Sequence, residues 1–251
     1  MEYSTPTQIF GSPTTPSHST KGHILYQQYE CSSNESASAW YQPTLTDCLR
    51  AFCIGSIGLA ILIGNIISIT VFNTKPYSKI FDQRPRSFLT SLACTDLCIG
   101  VVFVPFCIYP ALYHCWPLGQ TFCQIQALFI GALFHESTLS LVCVAVDRFI
   151  YIQFPLQYDV YFTVSLCQKL IIGTWFTSFL FYGVVIFVFN QFYYDDIGVT
   201  CEPYYENDGI IIGVVAVFYV PPLVTMLVIY GQIYRISYLH SRRIDVTGQV
   251  S

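Results

Sequence analysis

Charged side chains that could do chemistry stand at three places in an otherwise apolar sequence. Asp147 directly precedes Arg148, at the point where a long apolar run gives way to polar residues. An adjacent acid and base can hold one another by a charge-assisted hydrogen bond. Asp96 and the pair His135 and Glu136 lie deep within apolar runs, where ionisable groups are costly and mark ion paths, proton relays or ligand sites. These five residues are the first candidates for function.

The composition indicates that membrane-spanning helices carry these residues. Hydrophobic residues make up 53% of the 251-residue chain and charged residues 10%, with a mean hydropathy of +0.51. Soluble domains contain roughly 25% charged residues. Five runs reach the ~20 residues that a spanning helix needs, at about 51–73, 88–111, 122–149, 170–190 and 209–234. The runs are longer than barrel strands and do not alternate in polarity, so the sequence predicts an all-α membrane protein with five transmembrane helices.

The placement of Lys and Arg predicts how the chain is oriented. Basic residues follow the first, third and fifth runs, whereas the opposite side holds almost none apart from Lys21 and Arg50. The positive-inside rule then puts the N-terminus outside the plasma membrane and the C-terminus in the cytoplasm. Residues 1–49 are predicted to be a disordered extracellular tail with a glycosylation acceptor at Asn34. Residues 50–240 would form the helical bundle within the bilayer, and residues 241–251 a cytoplasmic tail.

Several short motifs occur in an order that is typical of one receptor family. They are Asn65 in the first run, Leu92-Ala93-x-x-Asp96 in the second, Trp116-x-x-Gly119 in the next loop, Asp147-Arg148-Phe149 and Pro155-Leu156 after the third, Trp175 in the fourth, and Pro222 eight residues before Tyr230 in the fifth. On these residues the chain resembles the rhodopsin-like (class A) G-protein-coupled receptors over about residues 51–240. The family usually has Tyr where this chain has Phe149, so one hydroxyl group is missing.

The resemblance implies a signalling role for the end of the third helix. In the family, the Arg of this motif is held near its Asp at rest and is freed on activation to meet a heterotrimeric G protein. Asp147-Arg148-Phe149 would form that switch here. Pro155 and Leu156 correspond to loop residues that dock on the G protein, and Tyr230 corresponds to a Tyr that helps hold the active state.

The resemblance also implies an ion site and a disulfide. Asn65, Asp96 and Ser137 correspond to residues that line a sodium pocket in the family, and a sodium ion is the one cofactor or metal implied. Cys123 and Cys201 correspond to two positions that the family joins by a disulfide. In a chain-entropy description, closing a loop of this length contributes on the order of 4 kcal/mol.

Three further cysteines fall near the predicted exterior, where disulfides persist. Cys115 has no evident partner, and Cys31 and Cys48 could pair with each other. The remaining six lie in or near apolar runs and are expected to be packed thiols.

The ligand-pocket candidates are Ile130, Phe134, His135 and Glu136. Ile130 lies seven residues after Cys123, where aminergic members of the family carry the Asp that pairs with the ligand ammonium group. An aliphatic side chain cannot form that pair, which argues against a classical monoamine ligand. Two interpretations of the adjacent His135 and Glu136 stay open. They set ligand polarity or proton sensitivity, or Glu136 is a protonated acid bonded to a neighbouring helix while His135 faces a cavity.

The family's sixth and seventh helices, with their Cys-Trp-x-Pro and Asn-Pro-x-x-Tyr motifs, are not found in the 251 residues. We therefore expect an incomplete receptor chain that does not signal by itself. One alternative is a five-span regulatory partner of full-length receptors. Another is a proton-linked transporter that relays protons through Asp96, His135 and Glu136. The sequence has none of the common hydrolase or metal-site motifs and no basic patch, so we expect neither an enzyme nor nucleic-acid binding.

Overall fold

Five helices long and apolar enough to cross a membrane dominate the protein, as the sequence predicts. The computed structural model describes residue 31 and residues 42–74, 82–205 and 208–248. The five spans are Leu45–Asn73, Gln83–Tyr113, Gly119–Gln153, Val164–Val188 and Gly209–Leu239, identified by length and hydropathy. Asn34 and most of the predicted N-terminal tail lie outside the described residues, so glycosylation stays a prediction.

The regular elements follow one another in a simple order. They are α1 (Leu45–Asn73), α2 (Gln83–Val102), α3 (Val104–Tyr113), α4 (Gly119–Gln153), α5 (Tyr158–Tyr161), α6 (Val164–Gly183), β1 (Phe192–Asp195), β2 (Thr200–Pro203), α7 (Asp208–Val214) and α8 (Val220–Gly248). One turn of π-helix, Val184–Val188, extends α6, and another, Val215–Tyr219, joins α7 to α8.

The first helix begins at a capping box, several residues before the predicted start. The Thr44 side chain accepts a hydrogen bond from the Asp47 backbone N–H, and the Asp47 carboxylate accepts one from the Thr44 backbone N–H. Arg50 is one of the few basic residues on the side that the positive-inside rule predicts to be exterior. Its guanidinium donates to the carbonyl oxygens of Asp196 and Ile197. These contacts tie α1 to the turn between β1 and β2.

Prolines mark the irregular points of the second and fifth spans. Pro105 lies in the first turn of α3, directly after the break that separates α2 from α3, where its missing N–H interrupts no helical hydrogen bond. Pro221 and Pro222 follow the π-helical turn Val215–Tyr219 in the same way. Helix α8 then continues to Gly248, so most of the segment predicted as a cytoplasmic tail is helical.

Helix α4 occupies the centre of the bundle and packs against α2, α6, α8 and both strands. It runs from Gly119 to Gln153 and is longer than the predicted span of 122–149. Its contact with α6 is close at Gly131, where a Cβ atom would overlap the ring of Tyr182. The position therefore has no room for a side chain unless Tyr182 moves.

A two-stranded antiparallel hairpin between α6 and α7 was not predicted from the sequence. In its register Tyr194 lies opposite Cys201. Cys201 forms a disulfide with Cys123 in the first turns of α4, and its backbone N–H donates to Gln126 Oε1 at 2.9 Å. The hairpin is thereby fixed over one end of the bundle, which we call the disulfide end.

The second disulfide corrects the suggested pairing of the other cysteines. Cys31 is bonded to Cys115, and Cys48 is free and exposed on α1. The backbone N–H of Cys31 donates to the carbonyl oxygen of Trp116 at 3.1 Å, the residue directly after Cys115. The alternative pairing of Cys31 with Cys48 is therefore wrong, and Cys115 does have a partner.

Candidate functional site

Asp147 is buried at the end of the bundle opposite the disulfides, which we call the Asp147 end. Its side chain is 0% exposed. The Tyr158 hydroxyl donates to Asp147 Oδ1 at 2.6 Å, whereas Arg148 Nε lies 3.8 Å from Asp147 Oδ2. The acid and base are thus a long ion pair, and the expected direct bond between them is replaced by the one from Tyr158. Arg148 keeps a side chain that is 40% exposed.

Arg84, at the start of α2, holds the short helix α5 that carries Tyr158. Its guanidinium lies 2.7 Å from Asp82 and 2.5 Å from Asp159, donates to the Phe162 carbonyl oxygen at 3.0 Å, and sits 4.1 Å from the centre of the Tyr158 ring. Burial alone would raise the pKa of Asp82, but the bonds from Arg84 lower it below its ordinary value. Cation–π and ion-pair contacts together fix the position of the Tyr158 ring.

The Tyr158 hydroxyl remains a proton donor over the ordinary pH range. Burial first, and the hydrogen bond to Asp147 second, raise the pKa of Tyr158 above its usual value. Sequence reasoning missed both Tyr158 and Arg84. The available signal was a Tyr shortly after Pro155-Leu156, although nothing in its spacing pointed to Asp147.

The structure also describes the other residues predicted for G-protein coupling. Pro155 is exposed and Leu156 is 95% exposed, at the tip of the loop between α4 and α5. Phe149 is half-buried on α4, and Tyr230 is exposed on α8. The structure thus shows an exposed apolar loop tip after α4 and a partly exposed Arg148 on α4.

Replacing Tyr158 with Phe should destabilise the protein, because it removes the one hydroxyl that donates to the buried Asp147 carboxylate. Leaving a buried acceptor unsatisfied costs about 1–3 kcal/mol. Thermal unfolding in detergent should show a clearly lower midpoint for Tyr158→Phe. Tyr161→Phe, at an exposed position of the same short helix, is the matched control. Equal midpoints for the two variants would mean that the Tyr158–Asp147 bond contributes nothing.

The predicted sodium-site residues lie on three different helices. Asn65 on α1 donates to the Ile61 carbonyl oxygen of its own helix at 2.9 Å. Asp96 on α2 and Ser137 on α4 are half-buried, and neither has a hydrogen-bond partner among the residues that the structure describes. Carboxylate, amide and hydroxyl oxygens are donors that suit a hard cation, and a sodium site here stays a prediction.

Glu136 and His135 both face α6. Glu136 is 0% exposed, and its Oε1 accepts from the Ser140 and Thr174 hydroxyls at 3.0 and 3.1 Å. His135 is buried, with Nδ1 3.2 Å from the Ser178 hydroxyl oxygen. This geometry matches the interpretation of Glu136 as an acid bonded to a neighbouring helix. The rings of Tyr182, Phe218 and Tyr219 have their centroids 5.1 to 6.4 Å from that of the His135 imidazole, and a cavity in front of His135 stays a prediction.

The three residues predicted for a proton relay are not directly bonded to one another in the described part of the chain. Within it, no hydrogen bond joins Asp96, His135 and Glu136 to one another. The hydroxyl partners of His135 and Glu136 are separate residues of α6, Ser178 and Thr174.

A cavity of about 340 Å³ lies at the disulfide end, between α4, α6, the hairpin and the fifth span. Ile130 and Phe134 line it, whereas His135 and Glu136 do not. Across from them stand Tyr182 and Tyr219, whose hydroxyl oxygens are 3.0 Å apart. The volume falls at the lower end of the ~300–1,000 Å³ range of small-molecule sites. Two of the four ligand-pocket candidates thus reach the cavity.

Comparison with known proteins identifies the family. The profile described as "7 transmembrane receptor (rhodopsin family)" matches residues 64–248, a stretch that includes the Asp147 end and the cavity. The chain belongs to the rhodopsin family of seven-transmembrane receptors.

The similar curated proteins include several trace amine-associated receptors. Trace amine-associated receptor 9 of Mus musculus is 28% identical over 216 residues, which are 79% of this chain and 59% of that protein. Trace amine-associated receptor 365 of Petromyzon marinus is 28% identical over 213 residues, 81% of this chain and 56% of the relative. Trace amine-associated receptor 9 of Homo sapiens is 30% identical over 179 residues, which are 66% of this chain and 49% of that protein. The chain thus spans about half to three fifths of the length of these relatives.

Proposed function

We propose that this protein is a plasma-membrane receptor that transmits a ligand signal to a heterotrimeric G protein. The disulfide end faces the exterior and the Asp147 end faces the cytoplasm. Membership of the rhodopsin family supports the activity. The orientation is supported by the two disulfides at one end, because disulfides persist in oxidising surroundings, and by the basic residues at the other.

The observation that carries this proposal is the arrangement around Arg148. Its acid partner Asp147 is fully buried and already bonded to Tyr158. Among the described residues Arg148 has one ion pair, the long one with Asp147, and it can turn towards a partner at little cost. The exposed Leu156 adds an apolar side chain in the loop that follows α4, so the two residues together suit a protein surface that offers carbonyl groups and an apolar pocket.

The cavity at the disulfide end is the proposed ligand site. The printed names of the relatives refer to trace amines, which supports a small amine as the ligand class. Ile130, which lines the cavity, offers no charge for an amine. The ligand ammonium group therefore does not pair with a carboxylate of the third span, as a classical monoamine does. Its counter-ion must come from another element. We also keep sodium as a proposed ligand of Asp96.

Nucleotide exchange on purified heterotrimers tests this function. The receptor, expressed from its complete reading frame and placed in lipid nanodiscs, should accelerate GTP-analogue binding by at least one heterotrimer in a panel of the four Gα classes. The protein-free nanodisc is the baseline. A receptor that binds a ligand in the cavity yet accelerates exchange in no heterotrimer would contradict the proposed coupling.

A further inference from the structure

Among the described residues that line the cavity at the disulfide end, one carries a charge. Glu202, at the third position of β2, is that residue, and neither Lys nor Arg is among the described residues that line the cavity. Most of the remaining wall is apolar. A lone carboxylate in such a wall favours a ligand with one positive charge and an apolar body.

Aromatic rings stand around the same space. Tyr182 comes from α6, Tyr219 from the π-helical turn of the fifth span, and Tyr205 from the segment after β2. Aromatic faces attract ammonium groups through the ring quadrupole, most strongly where water is excluded. The combination of three tyrosines with one carboxylate therefore fits an organic cation better than a neutral molecule or an anion.

A second and wider cavity of about 630 Å³ adjoins the first and shares Pro203, Tyr205 and Ile211 with it. Asp195 and Asp196 line this outer cavity. Carboxylates that line a cleft raise the local concentration of cations and speed their entry. The outer cavity thus favours cations, as Glu202 does in the inner cavity.

Two basic residues near Asp196, Arg50 and His114, line neither cavity. The Arg50 guanidinium donates to the carbonyl oxygens of Asp196 and Ile197 and lines neither cavity. His114 lies with Nδ1 3.6 Å from Asp196 Oδ1 and Nε2 2.9 Å from Asp47 Oδ1, and it too is absent from the lining of both.

We propose that Glu202 is the counter-ion of a small organic cation, a primary or substituted ammonium group on an apolar body, bound in the 340 Å³ cavity. This inference rests on the proposed ligand site and its proposed amine ligand, and it adds the residue that recognises the charge. The hairpin thereby supplies the charge that Ile130 of the third span does not.

The surroundings of Glu202 prepare it for this role. Its Oε1 accepts a hydrogen bond from the Thr200 hydroxyl at 3.1 Å, which orients the carboxylate from the same strand. Burial raises the pKa of Glu202 above its ordinary value, because the carboxylate loses water. A cation in the cavity would compensate that loss and stabilise the ionised form.

Direct binding of three organic cations to the nanodisc receptor tests the inference without any G protein. The probes are 2-phenylethylamine, cyclohexylamine and tetramethylammonium, and 2-phenylethanol serves as the uncharged analogue of the first. At least one cation should bind saturably, and 2-phenylethanol should bind at least about tenfold more weakly than 2-phenylethylamine. Glu202→Gln should weaken cation binding about tenfold to a hundredfold, the range for losing a charge-assisted hydrogen bond.

Two further variants separate lost charge from lost structure. Ile130→Asp in the Glu202→Gln background places a carboxylate on the opposite wall of the same cavity and should restore most of the affinity. Asp159→Asn, which removes a carboxylate at the Asp147 end, should leave cation binding within about twofold of the wild type, as an exposed charge beyond a Debye length is screened.

Three results would overturn the inference: no saturable binding of any of the three cations, equal binding of 2-phenylethanol and 2-phenylethylamine, or unchanged affinity in Glu202→Gln. None of them depends on coupling. Conversely, Glu202-dependent binding without nucleotide exchange would refute the proposed G-protein activity and leave the ligand class intact.

Discussion

Replacing Arg148 with Ala should reduce receptor-driven nucleotide exchange at least about tenfold, to near the rate of the heterotrimer alone. Arg148 is the partly exposed cation of the Asp147 end, and its only described ion pair is the long one with Asp147. Losing a charge-assisted contact to a partner removes about 1.5–3 kcal/mol of binding free energy, which is a factor of ten or more. Because Tyr158 still donates to Asp147, the variant should fold and reach the cell surface.

Lys169→Ala is the matched control for this variant. Lys169 is an exposed cation near the start of α6, so its removal changes the charge of the same end by the same amount. Exchange should stay within about twofold of wild type, as expected for a solvated surface charge. If the two variants lost activity equally, general charge rather than the position of Arg148 would be responsible.

Replacing Gly131 with Ala should both destabilise the bundle and deform the ligand cavity. The added methyl group would overlap the buried Tyr182 ring, so α4 and α6 must separate or Tyr182 must leave its place. Overpacking of this kind typically costs about 1–3 kcal/mol. Tyr182 also bonds to Tyr219 in the cavity wall. We therefore expect a lower unfolding midpoint together with weakened amine binding.

Gly173→Ala provides the comparison, since a Cβ atom at Gly173 of α6 meets nothing within 4 Å. Exchanging Gly for Ala in a helix gains up to about 1 kcal/mol, so its midpoint should be unchanged or higher. A Gly131→Ala receptor as stable as Gly173→Ala would show that the close contact between α4 and α6 is absent in the protein.

Helix α4 links the two sites that these variants probe. Ile130 lines the cavity and Asp147 closes the opposite end. Seventeen residues separate them on one helix, which at about 1.5 Å per residue is roughly 25 Å. We therefore expect a ligand that shifts α4 against α6 near Gly131 also to move Asp147 relative to α5, which carries Tyr158.

Much of this architecture could be predicted from the sequence. Runs of apolar residues define the spans by length alone, because only a helix of about 20 residues satisfies its backbone across a bilayer. The family motifs pointed to the Cys123–Cys201 bond, which the structure contains. Ile130 and Phe134, two of the ligand-pocket candidates on α4, line a cavity, and their role in ligand binding stays a prediction.

The contacts that depend on the path of loops could not be predicted. Arg84 and Asp159 are 75 positions apart, and they meet only because α5 folds back against α2. Strands of four residues such as β1 carry too short a pattern to be recognised. The Cys31–Cys115 bond depends on Cys31 lying next to the loop at Trp116, and residue types alone do not determine that position.

A single cross-linking measurement tests the central claim that the Asp147 end receives the G protein. A photoreactive amino acid placed at Leu156, which is 95% exposed, is compared with the same group at Ile197, which is 87% exposed at the disulfide end. Irradiation of the receptor with a nucleotide-free heterotrimer should join the Leu156 probe to the Gα subunit and leave the Ile197 probe unlinked. Cross-linking from Ile197, or from neither position, would contradict the account.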